Sequence, residues 1–197
     1  MIRNTILSLM VIVVMSSCGG DSSKDRNITN EDINISDVNI TIEPPLVING
    51  HTLPPEPDVI LNNSTLEGID SNNNGVRDDV ERKIYINNNK EISRQILLQS
   101  ARIEQKWLEA NDLVSNAKEW QALTYPKLGC MVHIYRKNDI NLFKTGTENY
   151  VFNTKARIEK YMKYNQALSG GVYSAPNSFN KESSCDFNVT KALESQE

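Results

Sequence analysis

Histidine, cysteine and aromatic residues are scarce in this sequence of 197 residues, which has two His, three Cys and 7% aromatic residues. So few imidazoles and thiols leave few ligands for zinc, iron or copper, and few imidazole bases or thiol nucleophiles for catalysis. A basic excess is also missing, since 21 Lys and Arg face 25 Asp and Glu. The chain therefore cannot neutralise a run of phosphates, and we predict no nucleic-acid partner. Its 39% hydrophobic content is enough for one domain and a tail.

The longest apolar run covers residues 6–15 and follows one positive charge, Arg3. About ten residues are too few for the roughly 20 that span a bilayer, so we interpret the run as a signal-peptide core. It ends in Met15-Ser16-Ser17-Cys18, which resembles the bacterial lipobox of an aliphatic residue, two small residues and Cys. The resemblance implies a lipoprotein signal peptide over residues 1–17 and acylation, for example by palmitate, of Cys18. The alternative is a plain secretory peptide with a chance cysteine.

The residue after Cys18 is Gly19 and not Asp. In this respect the chain resembles lipoproteins that are forwarded to the outer membrane. Several acyl chains on one cysteine anchor a protein stably, whereas a single chain does not. We therefore expect a protein of the bacterial cell envelope that is held on the outer membrane by lipid.

Residues 18–65 are acidic and contain proline pairs, with eight Asp and Glu against two basic residues and no aromatic residue. Such a segment lacks what a core requires, so we predict a disordered, acidic, Pro-containing tether. Its one histidine, His51, has no partner residue at a useful sequence spacing. Within the tether the apolar residues of 33–42 come close to a period of two, which leaves open a strand that pairs with the domain or with a partner.

The most specific motif is the twelve-residue stretch from Asp70 to Glu81, which matches the EF-hand calcium-loop template D-x-[DN]-x-[DN]-G-x₅-E. In that template side-chain oxygens converge on a hard cation, a glycine at position six makes the turn, and position seven offers its backbone carbonyl. Position nine contributes through water and the glutamate at position twelve supplies two oxygens. The predicted Ca²⁺ ligands are Asp70, Asn72, Asn74, Val76, Asp78 and Glu81.

The loop departs from a paired EF-hand in two ways. Position eight is Arg77, where an aliphatic residue would contact a second loop, and no second loop exists in the sequence. Pro57 and Gly68 leave no room for a full entering helix. The stretch is therefore similar to the single loops of dockerin and thrombospondin type 3 modules, and we expect a weak site, with Kd of roughly 10⁻⁴ to 10⁻³ M. The alternative is an Asn-rich turn that caps a helix.

The lipobox, the Pro-containing tether, the EF-hand-like loop and the helices that follow together resemble a group of small, uncharacterised bacterial lipoproteins. That resemblance brings no activity with it. It implies an all-α domain over residues 66–197 that carries the loop at its N-terminal entrance.

Helical periodicity supports the same fold class of three or four helices. Apolar residues spaced by three, four and seven predict one long helix near Lys90–Ser115, after the exit helix of the loop. A second helical run contains Trp120 and Ile134, and Pro126 interrupts or restarts it. A third begins after Asn153 and stops at Gly170. Strand signals are sparse apart from Tyr150-Val151-Phe152.

Two cysteines remain once Cys18 is acylated, and an exported protein meets an oxidising environment. We therefore predict a disulfide between Cys130 and Cys185. The alternative, a catalytic thiol at Cys130 assisted by His133, lacks a Cys-x-x-Cys motif or a third group to support it.

Two classes of function follow. The first is a non-catalytic, lipid-anchored interaction or structural module that holds calcium and contacts an envelope protein or polymer. The second is an envelope hydrolase whose acid and base are carboxylates such as Glu104, Glu109 and Glu119. Glutamates on helices are usually a solvated face, so the first class is favoured.

Overall fold

The computed structural model describes residues 44–144, 146–175 and 181–195. Outside these ranges lie the predicted signal peptide, the predicted lipidation site Cys18, most of the predicted tether and its candidate strand at 33–42. Within them the chain is mostly helical, which confirms the all-α class. No helix of the described residues combines the length and the apolar character needed to cross a bilayer.

Residues 44–65 are folded, which corrects the prediction that the tether extends to residue 65. Strands β1 (Val47–Ile48) and β2 (His51–Thr52) form an antiparallel hairpin, and helix α1 (Val59–Ser64) follows. Asp58 caps α1 by accepting a hydrogen bond from the Leu61 backbone N–H at 2.9 Å. Leu53, 2% exposed, packs into the core and holds this segment to the domain.

Four helices of ten or more residues build the body of the domain, and they correspond to the four helical segments expected from the periodicity. The longest ends at Glu109, six residues before the predicted limit, because residues 110–116 turn back. Tyr150-Val151-Phe152 is not a strand, since it lies at the end of a short helix. The helices after α1 are α2 (Asp78–Asn87), α3 (Glu91–Glu109), α4 (Ala117–Ala122), α5 (Tyr125–Asn138), α6 (Glu148–Val151), α7 (Lys155–Leu168) and α8 (Val189–Glu194).

Helix α3 is the centre of the fold and contributes to both hydrophobic clusters. Leu97 and Leu108 belong to the larger cluster, with residues of α2, α6 and α7. Ile92 and Ile96 belong to the smaller one, with residues of α5 and α8. Because apolar residues occupy two faces of α3, its partners pack around it on both sides.

The predicted disulfide is present. Cys130, on the buried side of α5, is bonded to Cys185, with Cα atoms 4.8 Å apart. Cys185 follows a 3₁₀ helix at Glu182–Ser184. The bridge therefore ties the C-terminal segment, which contains α8, to the body of the domain.

Candidate metal centre

The loop from residue 70 to residue 81 uses its own side-chain oxygens to hold its backbone. Asp70 accepts hydrogen bonds from the backbone N–H of Asn74 at 3.2 Å and of Gly75 at 2.8 Å. Asn72 Oδ1 accepts from the Asn74 N–H at 3.1 Å, and Asn74 Oδ1 accepts from the Val76 N–H at 2.9 Å. The side chains at positions one, three and five are thus directed into the loop, where the template places ligands.

Two residues with a left-handed backbone conformation form the turn of the loop. Asn73 has φ 56° and Gly75 has φ 81°. Glycine adopts this conformation without steric cost and asparagine tolerates it, which explains both residue types here. At the base of the loop, the Asp78 N–H donates to the Ile69 carbonyl at 2.8 Å and so joins its entrance to the start of α2.

Glu81, in the first turn of α2, closes the loop from the other side. Its Oε2 accepts from Asn72 Nδ2 at 3.0 Å and from Asn74 Nδ2 at 2.8 Å, although only 7% of the residue is exposed. Burial raises the pKa of the Glu81 carboxyl, the two amide hydrogen bonds lower it, and the charges of Asp78 and Asp70 raise it further. Positions three, five and twelve therefore meet at the Glu81 carboxylate.

The remaining two predicted ligands are Asp78 and Val76. Asp78 is 1% exposed, and its Oδ1 accepts from the Ser71 N–H at 3.0 Å, so this carboxylate also braces the loop. Val76 buries its side chain completely in the larger hydrophobic cluster, which leaves its backbone carbonyl as the only group it can offer to an ion.

The carboxylates predicted to bind the ion have no cationic partner in the described part of the chain, whereas Asp79, also in the loop, pairs with Arg77. Asp70, Asp78 and Glu81 take part in none of the ion pairs there, which involve other carboxylates. Counting only His, Cys, Asp and Glu, these residues also include no group of three or more that could hold a metal ion. A calcium loop draws additional ligands from Asn amides and a backbone carbonyl. Here the amides of Asn72 and Asn74 present their NH₂ groups to Glu81, and a half turn of each would present the oxygen instead.

Arg77, at position eight, points away from the loop, as expected for a residue that does not bind the ion. It is fully buried, and its Nε donates to Asp79 Oδ1 at 2.5 Å. Its Nη2 donates to the carbonyls of Tyr150 and Val151, at 3.1 and 3.3 Å, and to Asn153 Oδ1 at 3.1 Å. In a paired EF-hand a second loop supports the first one. Here the Arg77 guanidinium supports the loop instead, through its contacts with residues 150–153.

A second buried arginine fixes the segment that enters the loop. Arg157 of α7 is fully buried and donates to the carbonyls of Leu66 at 2.9 Å and Asn62 at 2.6 Å. Burial and the nearby charge of Arg77 lower the pKa of Arg157 to about 10. Gly68 has φ 68°, and a Cβ atom there would lie 2.2 Å from Arg77 Cδ and 2.9 Å from Arg157 Nη2. A glycine is therefore required where the two arginines approach the backbone.

His51 has a partner that sequence spacing does not reveal. Its Nε2 lies 3.2 Å from Oε1 of Glu91, which is 5% exposed and also accepts from Gln95 and Arg94. Burial raises the pKa of Glu91, but the hydrogen bonds and charges of Gln95, His51 and Arg94 outweigh it and leave the pKa lowered. The hairpin brings His51 to the first turn of α3, so its partner is 40 positions away in the sequence.

The three carboxylates considered for a hydrolase do not share a pocket. Glu104 lines a cavity between helices, whereas Glu109 and Glu119 are exposed and do not line it. Glu109 accepts a hydrogen bond from Gln105 on the next turn at 3.3 Å. The structure therefore gives no support to an acid and base pair drawn from these three residues.

The buried carboxyl group of Glu104 should make the stability of the folded protein depend on pH. Burial raises its pKa to about 7, and the charge of Glu148 adds to this, while the hydroxyl of Thr147, the charge of Lys127 and the hydroxyl of Ser100 oppose it. The folded protein thus keeps a proton that the unfolded chain releases near pH 4.5. This stabilisation is complete below pH 4.5 and disappears as the pH rises through 7.

We expect the free energy of unfolding to fall by about 2–3 kcal/mol more between pH 5 and pH 8 in the wild type than in Glu104→Gln, whose amide cannot ionise. Urea titrations at the two pH values measure the difference. Equal pH dependence in both proteins would contradict this assignment.

Compared with protein-family models, curated proteins and solved structures, the chain matches none of them. The resemblance to small bacterial lipoproteins with a single calcium loop therefore stays a prediction from the sequence motifs.

Proposed function

We propose that this protein is a lipid-anchored module of the bacterial cell envelope that binds Ca²⁺ in the loop Asp70–Glu81 and acts without catalysis. The observation that carries the proposal is that the side chains of Asn72 and Asn74 converge on the carboxylate of Glu81, which has no cationic partner among the described residues. The partner of the module, an envelope protein or polymer, stays a prediction, as does its place at the outer membrane.

The donor chemistry fits calcium. Ca²⁺ takes six to eight oxygen ligands in a flexible shell. Asp70, Asn72, Asn74, the Val76 carbonyl and both oxygens of Glu81 would supply six, and Asp78 would act through water. Mg²⁺ demands a smaller and nearly octahedral shell, which a loop with neutral amide ligands suits poorly.

Bound calcium would act on stability and not on a substrate. The ion would relieve the repulsion among Asp70, Asp78 and Glu81 and would couple the loop to α2. Arg77 holds the loop to α6, and Arg157 of α7 holds the segment that enters the loop, so an ordered loop stiffens the contact among these elements. A weak site of this kind responds to extracellular calcium concentrations.

Calcium should raise the melting temperature of the protein. A ligand that binds only the folded form adds RT ln(1 + [Ca]/Kd), or about 2.7 kcal/mol at a hundred times Kd. Asp70→Ala and Glu81→Gln should abolish the increase, since each removes an anionic ligand. The matched control is Glu159→Gln, which removes a carboxylate 58% exposed on α7 and should keep the full response.

Magnesium at the same concentration should raise the melting temperature less. If calcium up to about 10 mM, above the weak extracellular range, leaves the wild-type melting temperature unchanged, the loop is only an Asn-rich helix cap. An increase that survives in Glu81→Gln would equally contradict the proposed site.

The lipid anchor has its own test. Labelled palmitate should be incorporated into the wild-type chain in bacteria and not into Cys18→Ala, because the cysteine provides the sulfur for acylation. Asp21→Ala, which keeps Cys18 and all the residues before it, serves as the control. Undiminished labelling of Cys18→Ala would contradict the predicted lipobox.

A further inference from the structure

A cavity of about 250 Å³ lies between α3, α4, α5, α6 and α7 and shares no residue with the loop of residues 70–81. Five helices therefore fix its shape, and its chemistry is independent of the proposed calcium site. Pockets between the helices of a bundle are common places for small ligands. The cavity has the volume of about eight molecules of liquid water, so it admits one small molecule.

Three charged side chains line this cavity, and their net charge is negative. Glu104 of α3 and Glu148 of α6 contribute two carboxylates, and Lys127 of α5 contributes one ammonium group. Glu148 and Lys127 are also the charges that act on the Glu104 carboxyl. Within the described residues none of the three takes part in an ion pair. When all three are ionised, one negative charge in the wall thus has no counter-charge.

The burial of Glu104 makes this uncompensated charge costly. The residue is 5% exposed, and its two oxygens accept hydrogen bonds from Thr147 Oγ1 at 2.7 Å and from Ser100 Oγ at 3.2 Å. Both donors are hydroxyls, which bring no positive charge. A positive ligand in the cavity would supply it, and direct contact is not required, because charges in a protein interior attract one another over several ångströms.

The remainder of the wall offers apolar surface. Ile103, Trp107, Tyr161 and Tyr164 all line the cavity. The Trp107 ring lies against Tyr164, with centroids 4.6 Å apart, and is stacked with Tyr161 at 6.3 Å, so these contacts fix the wall. A hydrated inorganic ion gains little from such a surface, whereas the carbon atoms of an organic cation gain from contact with it.

We propose that this cavity binds one small organic cation of the class of an alkylammonium ion. Glu104 and Glu148 attract its positive charge, and Ile103 and Tyr161 contact its carbon atoms. The bound cation brings the net charge of the three lining groups and the ligand to zero. Lys127 competes with the ligand for the same two carboxylates, so its charge sets an upper limit on the affinity.

The experiment uses the full chain in a non-ionic detergent and sodium phosphate buffer, which contain no ammonium group. It is titrated calorimetrically with butylammonium, choline and tetramethylammonium, and at least one should bind with a stoichiometry of one. n-Butanol, which has the alkyl chain of butylammonium without the charge, should bind at least about tenfold more weakly. The affinity for the cation should rise about tenfold between pH 6 and pH 8, because the pKa of Glu104 is about 7 and its ionised form attracts the ligand.

Three variants separate charge from structure. Glu104→Gln should weaken binding at pH 8 roughly tenfold and remove its pH dependence, since the amide does not ionise. Lys127→Gln should act in the opposite direction and strengthen binding at pH 8, because it removes the competing positive charge. Glu119→Gln is the matched control, as this carboxylate is exposed on α4 and does not line the cavity, and it should leave the affinity unchanged at both pH values.

Lack of saturable binding of all three cations up to about 10 mM at pH 8 would overturn the proposal. It is also overturned if n-butanol or butyrate binds as tightly as butylammonium, or if the pH dependence survives in Glu104→Gln. Glu81→Gln alters only the candidate calcium loop and should keep the full affinity for the cation. A failure of the calcium site and a failure of this cavity are therefore distinguishable.

Discussion

Arg77→Leu should lower the free energy of unfolding by about 3–5 kcal/mol, which is the cost of removing one partner of a buried ion pair. Arg77 is fully buried, and Asp79, whose side chain is 9% exposed, would keep its charge and lose its principal partner. The carbonyls of Tyr150 and Val151 would lose a donor at the same time. Urea denaturation followed by circular dichroism measures the change.

Two further variants separate the charge of Arg77 from its shape. Arg77→Lys keeps the charge but not the planar fork that reaches several acceptors at once, so an intermediate loss is expected. Lys155→Ala removes one member of a surface pair, in which Lys155 is 91% exposed and lies 3.8 Å from Glu159, and it should cost less than about 1 kcal/mol. A loss in Arg77→Leu no greater than that in Lys155→Ala would show that the buried arginine does not support the loop.

The four longer helices were predictable because each carries a periodic apolar face that is long enough to be distinguished from a strand. Their ends were less predictable. The apolar pattern of α3 continues to Val114 in the sequence, but the chain leaves the helix at Ala110 because the turn at 110–116 packs Leu113 into the core. Tertiary packing decides such an end, and periodicity does not show it.

The folded segment 44–65 was missed because its composition is that of a tether. A local signal was nevertheless present. Asn49-Gly50 lies between the short strands Val47–Ile48 and His51–Thr52, and both residues have positive φ, as the tight turn of a hairpin requires. One buried leucine and a few polar contacts to α2, such as Arg82 to the Pro54 carbonyl at 2.8 Å, are enough to hold it.

The candidate calcium loop could be found from its spacing because all its ligands lie within twelve residues of sequence. The groups that support it could not. Arg77 reaches residues 73 and 74 positions away, and Arg157 reaches Asn62 across 95 positions. The partnership of His51 with Glu91 and the cavity at Glu104 also join residues that are distant in sequence. Single-sequence spacing is informative only for contacts made within one loop or helix.

The Cys130–Cys185 disulfide should contribute about 4 kcal/mol to the free energy of unfolding, because it closes a loop of about 56 residues in the unfolded chain. We expect the double variant Cys130→Ala/Cys185→Ala to lose about this amount. The loss should be concentrated in residues 181–195, where few large apolar side chains besides Val189 are buried. Hydrogen exchange would show early opening of α8, since the bridge holds this segment to α5.

Adding a reductant separates the contribution of the disulfide bond to stability from the contribution of the packing of its two sulfur atoms. A reductant should destabilise the wild type by nearly the same amount as the double substitution and should leave the double variant unaffected, since that protein has no bond between these positions to break. Cys130 is fully buried, so the alanine variant also carries a small cavity and should be slightly less stable than the reduced wild type. Thiol titration of the unreduced protein should find neither of these cysteines free. Two reactive thiols at these positions, together with a stability that does not respond to reductant, would show that the C-terminal segment is held by its packing contacts and not by the bridge.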